Sequence, residues 1–273
     1  GDPDGLRIVD KSNWIGKALV FPRALLPQVK ARPELAQTGV YLLLGPRPDG
    51  EGDMLYVGEG DPIRPRLESH YAQKDFWTRA IGFTTTTAGQ LNKAHVQFLE
   101  ARLLALAKSA KRVPVDLDNK KSESEPTLSE ADRADMEVFL NHMLGILPVL
   151  GVHAFEQISP RVTGEQEGQL GPLLYCKGKG VEARGYESTK GFVVLQGSQA
   201  HLGSETRRNT LRSDLMDLGV LVLESSVIRF SQDFLFRSPS SASGLILDRS
   251  SNGRIEWKDA QGRTLKELQE AEA

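Results

Sequence analysis

Gly39-Val40-Tyr41-Leu42-Leu43-Leu44 and Met54-Leu55-Tyr56-Val57-Gly58, followed by Arg66, His70 and Glu100, decide how the first half of this 273-residue chain is read. Side chains alternate along each run, so Tyr41 and Leu43 share one face while Val40, Leu42 and Leu44 share the other. Tyr56 lies on the face of Met54 and Gly58. Between the runs, Gly45-Pro46-Arg47-Pro48-Asp49-Gly50-Glu51-Gly52-Asp53 is rich in turn residues. An antiparallel hairpin would set Tyr41 and Tyr56 on one surface. Asp61-Pro62 then suits a helix start, with Asp61 as N-cap and Pro62 at the first helical position. Ile63 and Leu67 face its core side, and Arg66 and His70, four apart, stack on another face. The strongest helix signal runs over 90–111. Its apolar stripe is Val96, Leu99, Leu103 and Leu106, and Glu100 at the stripe's edge can face a pocket beside the core.

Around this stretch the chain is long enough for two domains, and its apolar fraction supports packed cores. No run of about 18 apolar residues occurs, so no membrane span is predicted. The opening Gly1-Asp2-Pro3-Asp4-Gly5 does not read as a signal peptide. Cys176 is the only cysteine, which excludes an internal disulfide and fits a reducing, cytoplasmic setting. Net charge is −2, unlike a typical nucleic-acid binder. The distribution is uneven, however. Residues 1–121 hold 18 Lys+Arg against 14 Asp+Glu, whereas residues 122–170 hold 2 against 9. An acidic middle hides a mildly basic front, compatible with a phosphate ligand.

Strands are expected at 6–10, 18–21 and 79–84, with a short helix at 23–30. Residues 120–126 read as a linker, followed by an amphipathic helix over 129–147 that starts at Ser129. Its apolar face (Met136, Phe139, Leu140, Met143, Leu144 and Leu147) is too extensive to leave in water. It should dock on the first domain or on a second copy of the chain, and a two-fold homodimer would present two sites to two strands. Beyond a second linker at 160–171, the rest alternates strands and helices. A hairpin turns at Gly178-Lys179-Gly180, helices cover 204–218, 239–247 and 264–271, and a turn at Asn252-Gly253 leads into a strand. The overall class is therefore α+β: residues 1–122 as a first domain, 123–170 as an acidic helical linker and 171–273 as a second domain.

The ordered set Gly39-Val40-Tyr41, Tyr56-Val57-Gly58, Arg66 and His70 on one helix, and Glu100 on the next resembles the GIY-YIG nuclease superfamily. Either tripeptide alone is a weak signal. The set is specific because five positions agree in residue type and in predicted setting. The resemblance covers residues 38–120 and implies a small mixed sheet flanked by helices, with metal-dependent hydrolysis of DNA. It implies catalytic roles for Tyr41, Tyr56, Arg66, His70 and Glu100, a single Mg²⁺ or Mn²⁺ at Glu100, and support from Gly39 and Gly58. Asn119 stands where the family has an Asn after the Glu helix. A role in bacterial defence or restriction is the natural expectation.

The residues suit that chemistry in their own right. Phosphodiester hydrolysis needs an activated water, a cation on the non-bridging oxygens and help for the leaving oxygen. Glu100 can hold a hard divalent ion, with water and phosphate completing its shell. Arg66 can grip the phosphate through two N–H bonds. Tyr56 or Tyr41 can take the proton from water, directly or through His70, with neighbouring positive charge expected to lower the Tyr56 pKa. Each residue also has an uneventful explanation: tyrosines packed in a strand, and Arg66, His70 and Glu100 on solvated helix faces. The competing reading is a non-catalytic module that keeps the fold and binds nucleic acid or protein.

In the C-terminal part, the runs 191–198 and 231–240 and the stretch Asn252-Gly253-Arg254-Ile255-Glu256-Trp257-Lys258 resemble the DUF4357 domain. That family has no settled activity and is often attached to nuclease domains. Arg207, Arg208 and Arg212 fall on one predicted helix, where they would contact DNA phosphates or form a solvated face with Glu205 and Asp214. Trp257 would stack on a base or pack in the core.

Overall fold

The structure, a computed structural model of the chain, describes residues 5–46, 53–113, 126–156, 169–189, 191–203, 210–224 and 226–271. It is α+β and divides into two units, Gly1–Glu156 and Gln157–Ala273.

The hairpin expected from the sequence is β3 (Gly39–Pro46) and β4 (Asp53–Gly60). Its turn residues 47–52 lie outside the described residues. With β1 (Arg7–Asp10), β2 (Gly16–Pro22) and β5 (Arg79–Thr85) it forms one sheet in the order β1-β2-β5-β3-β4. Every neighbouring pair is antiparallel, which corrects the expectation of a mixed sheet. β4 and β5 do run the same way, but β3 lies between them. The N-terminal strands are an integral part of this sheet, because β2 pairs with β5 from Gly16↔Thr85 to Pro22↔Arg79.

Alternation along β3 and β4 gives the sheet two buried faces. Val40, Leu42, Leu55 and Val57 pack with α3 (Lys93–Ala110), through Val96, Leu99 and Leu103. On the other face Tyr41, Leu43 and Tyr56 pack with Ile63 and Leu67 and with α1 (Leu26–Val29). Ile63 and Leu67 belong to α2, which spans Arg64–Gln73 and has Ile63 as its N-cap. The helix thus begins after Asp61-Pro62. Asp61 does not cap it; its carboxylate accepts from Thr38 Oγ1 at 2.6 Å, so the side chain is spent on the strand's entry.

α4 (Glu130–Ile146) has Ser129 as its N-cap, accepting from the Asp132 amide. Its residues Met136, Phe139, Leu140 and Met143 join the same core as α3, and Phe139 lies 5.0 Å from Trp14 between ring centroids. Each such buried side chain contributes about 1.5–3 kcal/mol. This corrects the division that placed α4 in a linker over 123–170. Its apolar stripe completes the first unit, which removes the sequence-based reason for a homodimer. An ion pair from Arg102 on α3 to Glu137 on α4, at 2.8 Å, fixes the pairing on the outer side.

The second unit contains β6 (Gln169–Gly178), β7 (Val181–Ser188), β8 (Gly191–Val194), β9 (Gln199–Ala200), α5 (Thr210–Asp217), β10 (Leu221–Glu224), β11 (Val227–Phe230), β12 (Phe234–Phe236), α6 (Pro239–Leu247), α7 (Gly253–Glu256), β13 (Trp257–Lys258) and α8 (Leu265–Ala271). Its sheets run β12-β8-β7-β6-β13 and β10-β11-β9. Leu174, Cys176, Ala183, Phe192 and Val194 bury one face of the larger sheet with Leu245 and Ile246 of α6. Asn252 does not make the expected turn into a strand. Its side chain accepts from the Arg254 amide and starts the one-turn α7, so the strand shrinks to Trp257 and Lys258. Among the described residues no helix is long and apolar enough to cross a membrane.

Candidate active site

Register brings the two strand tyrosines together. Tyr41 pairs with Gly58 and Leu43 with Tyr56, so Tyr41 and Tyr56 are diagonal neighbours on one face. Their rings stack at 6.1 Å between centroids with 26° between planes. Gly58 makes this possible. A Cβ there would lie 2.5 Å from the Tyr41 ring and hydroxyl and 2.8 Å from the Tyr56 ring. Gly39 serves the neighbouring approach: a Cβ on it would meet the Phe83 carbonyl oxygen at 2.2 Å and the Ile63 side chain at 2.6 Å.

α2 lies across this face, and one of its sides carries Arg66 and His70. His70 is buried, at 8% exposure, and its Nε2 is 2.8 Å from the Tyr41 hydroxyl. The Tyr56 ring meets the same imidazole edge-on at 4.6 Å. Arg66, one turn earlier, is exposed at the mouth, and its charge acts on both phenol groups. The C-terminal turn of α2 is held by Arg23, which donates to the Tyr71 carbonyl at 2.7 Å and lies 4.4 Å over the Tyr71 ring. Trp77 Nε1 donates to the His70 carbonyl at 3.4 Å. These contacts fix where the imidazole stands.

α3 packs on the opposite face of the sheet, yet β4 is an edge strand, so a side chain on α3 can reach past it. Glu100 is half-buried there, and its charge raises the Tyr56 pKa. Lys93 at the start of α3 donates to both oxygens of Glu59 on β4 at 2.5 and 2.6 Å. His95 joins Asn92 in a capping box at the start of α3.

Electrostatics correct one expectation. Burial, the largest cause, pushes the Tyr56 hydroxyl above its ordinary range; the hydrogen bond with Tyr41 and the charges of Arg66 and Lys74 act the other way without prevailing. Tyr41 is driven up further, first by burial and then by Tyr56. Both hydroxyls are therefore neutral at pH 7. For Arg66, burial works against the charge, but the two tyrosines and Glu59 outweigh it and raise its pKa.

Lys74 is the participant that the sequence reading missed. Its ammonium lies 5.1 Å from the Tyr56 ring centroid. The signal was partly present, because Arg66, His70 and Lys74 are spaced by four in the sequence, although Lys74 is the extended C-cap that follows α2.

Asn119, Arg207 and Arg208 lie outside the described residues. Arg212 is not on a solvated face, which corrects the reading of Arg212 as a phosphate contact. It is buried, donates to the carbonyls of His201 at 2.6 Å and Leu245 at 2.5 Å, and approaches Asp248 at 3.8 Å. Trp257 is likewise a core residue, packed 4.5 Å from Phe192 and donating to the Pro239 carbonyl. Among the described residues no three His, Cys, Asp or Glu side chains group together as a metal cage.

No curated protein and no solved structure matches the chain. Residues 174–269, most of the second unit, match the family described as "Domain of unknown function (DUF4357)".

Proposed function

We propose that the first unit is a GIY-YIG-type endonuclease that hydrolyses DNA phosphodiester bonds. The observation that carries this reading is the convergence of Tyr41, Tyr56 and His70 in one buried cluster, with exposed Arg66 at its mouth and half-buried Glu100 beside it. Packing alone does not call for a buried hydroxyl–imidazole bond, an exposed guanidinium coupled to both phenols and a carboxylate within electrostatic reach of one phenol. Together they supply the parts of phosphoryl hydrolysis.

Arg66 binds a non-bridging phosphate oxygen pair bidentately and neutralises charge that grows in the transition state. Its exposure leaves it accessible to a backbone phosphate. Tyr56, neutral in the resting site, orients the attacking water by hydrogen bonding and passes a proton only as charge redistributes. Tyr41 connects that phenol to His70, whose imidazole Nε2, 2.8 Å from the Tyr41 hydroxyl, can finally hold the proton.

A single carboxylate suits Mg²⁺ or Mn²⁺, which retain most of their water and share phosphate oxygens, better than it suits an ion needing an all-protein cage. Glu100 would hold it, and when bound the ion supplies charge stabilisation at the scissile phosphate. Cleavage of supercoiled plasmid by the full chain in Mg²⁺ or Mn²⁺, abolished by chelator, tests the reading. Intact plasmid under all metal conditions contradicts it and leaves the non-catalytic module. A place in bacterial defence or restriction fits an endonuclease joined to a second domain.

A further inference from the structure

The larger sheet of the second unit has one face covered by α6 and another that is chemically distinct. Alternation puts Leu174 and Cys176 inside, and Tyr175 and Lys177 outside. Register extends the outer row across the sheet. Lys258 on β13 pairs with Tyr175, which pairs with Arg184 on β7. One aromatic ring is thus flanked by a cation on each neighbouring strand, and a third, Lys177, stands 5.8 Å from the Tyr175 ring centroid.

Beside this row lies a groove of about 560 Å³, with Tyr175, Lys177, Ile255 and Lys258 among its lining residues. Ile255 is an apolar side chain left 51% exposed at the groove, and Lys177 is 66% exposed. The two acidic residues of the lining are already neutralised. Glu256 pairs with Arg249 at 2.6 Å, and Asp259 with Arg263 at 2.8 Å while also accepting two backbone N–H bonds. Across the row, Glu182 offsets Lys177 at 3.1 Å and Glu267 of α8 lies within electrostatic reach of Lys258, which leaves two carboxylates against the three cations Lys177, Lys258 and Arg184. The face is therefore net positive around an aromatic floor.

We propose that this groove binds single-stranded nucleic acid, with one base stacked between Tyr175 and Ile255 and its flanking phosphates on Lys177 and Lys258. Charge complementarity selects a polyanion, and the Tyr175–Ile255 slot selects one carrying flat apolar faces. Bases within a duplex are already stacked on each other, so the slot takes an unpaired one. Arg184 extends the cationic track in the direction of the next strand. As a substrate-holding surface the proposal rests on the nuclease reading; as a binding site it does not.

The test uses the full chain carrying Glu100→Ala, so that substrate is not consumed, and a fluorescently labelled oligothymidylate followed by anisotropy over a salt series. Tyr175→Leu should weaken binding by about 5- to 150-fold, the measured range for losing one base stack, with the salt slope unchanged. Lys177→Gln with Lys258→Gln should make the slope shallower by about 1.4, or about 0.7 for each lost contact to a single strand. Both changes lie at surface positions, and thermal melts matching the parent confirm that the fold is kept. Parental affinity and slope in both variants overturn the proposal. So does equal competition by polyglutamate, which would make the groove a site for acidic peptide. Plasmid cleavage by the chain with Glu100 intact separates the two readings. Cleavage with oligonucleotide binding unmoved sinks the groove alone, whereas binding lost in the variants of a chain that never cuts sinks the nuclease and supports the groove.

Discussion

The Tyr41 hydroxyl and His70 Nε2 stand 2.8 Å apart, with both rings withdrawn from solvent. This bond joins β3 to α2 across 29 residues and makes the helix face part of the sheet's chemistry. Tyr41→Phe removes it and should cost about 0.5–1.5 kcal/mol of stability near pH 7. The cost should shrink above about pH 10. Burial raises the folded Tyr41 pKa, so the stability it contributes is present below the unfolded value of about 10 and is lost as pH rises past it. Urea unfolding of both proteins at pH 8 and pH 10.5 checks the sign. A gap that widens at high pH contradicts the assignment.

Tyr56 should matter to the chemical step more than to binding. Tyr56→Phe keeps the ring against His70 but removes the oxygen, and a general-acid–base role predicts a loss of about 10²–10⁴-fold in single-turnover cleavage. DNA affinity should be unchanged. If Tyr56→Phe cuts at the parental rate while His70→Ala is inactive, the proton leaves by another route.

The α4 helix belongs to the first unit's core. Phe139→Ala deletes a ring packed on Trp14 and should destabilise that unit by about 3–5 kcal/mol, read by thermal or urea unfolding. Because the helix spends its apolar face within the chain, light scattering should report a monomer at micromolar concentration. A concentration-dependent dimer, dissociated by changes on α4, contradicts this.

Arg212 is a structural cation. Arg212→Ala leaves the carbonyls of His201 and Leu245 without their donor and Asp248 without its buried counter-charge, a loss of about 3–5 kcal/mol by analogy with broken buried pairs. The salt dependence of DNA binding, measured on the fraction that folds, should be that of the parent. A reduced slope with parental stability would restore Arg212 to the surface role first inferred for it.

Much of this was legible in the sequence because it rests on period. Two-residue alternation put Tyr41 and Tyr56 on one face, four-residue spacing put Arg66 with His70, and Ser129 marked the start of α4. What was not legible depends on the third dimension. Asp61 looks like an N-cap until Thr38, 23 residues away, claims its carboxylate. Arg212 looks like a surface cation until α6 supplies the Leu245 carbonyl. The direction of the Tyr56 pKa needed a weighing of burial against Arg66, and only packing decides that balance. The α4 stripe announced that it would be covered, but a periodic pattern names no partner, and the match to Trp14 and α3 appears only in the fold.

The most direct test compares the parental chain with Glu100→Ala in one assay, following supercoiled plasmid in Mg²⁺ while DNA binding is measured in parallel. The account predicts nicking or linearisation by the parent, none by Glu100→Ala, and equal DNA affinity for both, since the carboxylate acts on the transition state rather than on the bound strand. Cleavage by Glu100→Ala at the parental rate would contradict the assignment of this site.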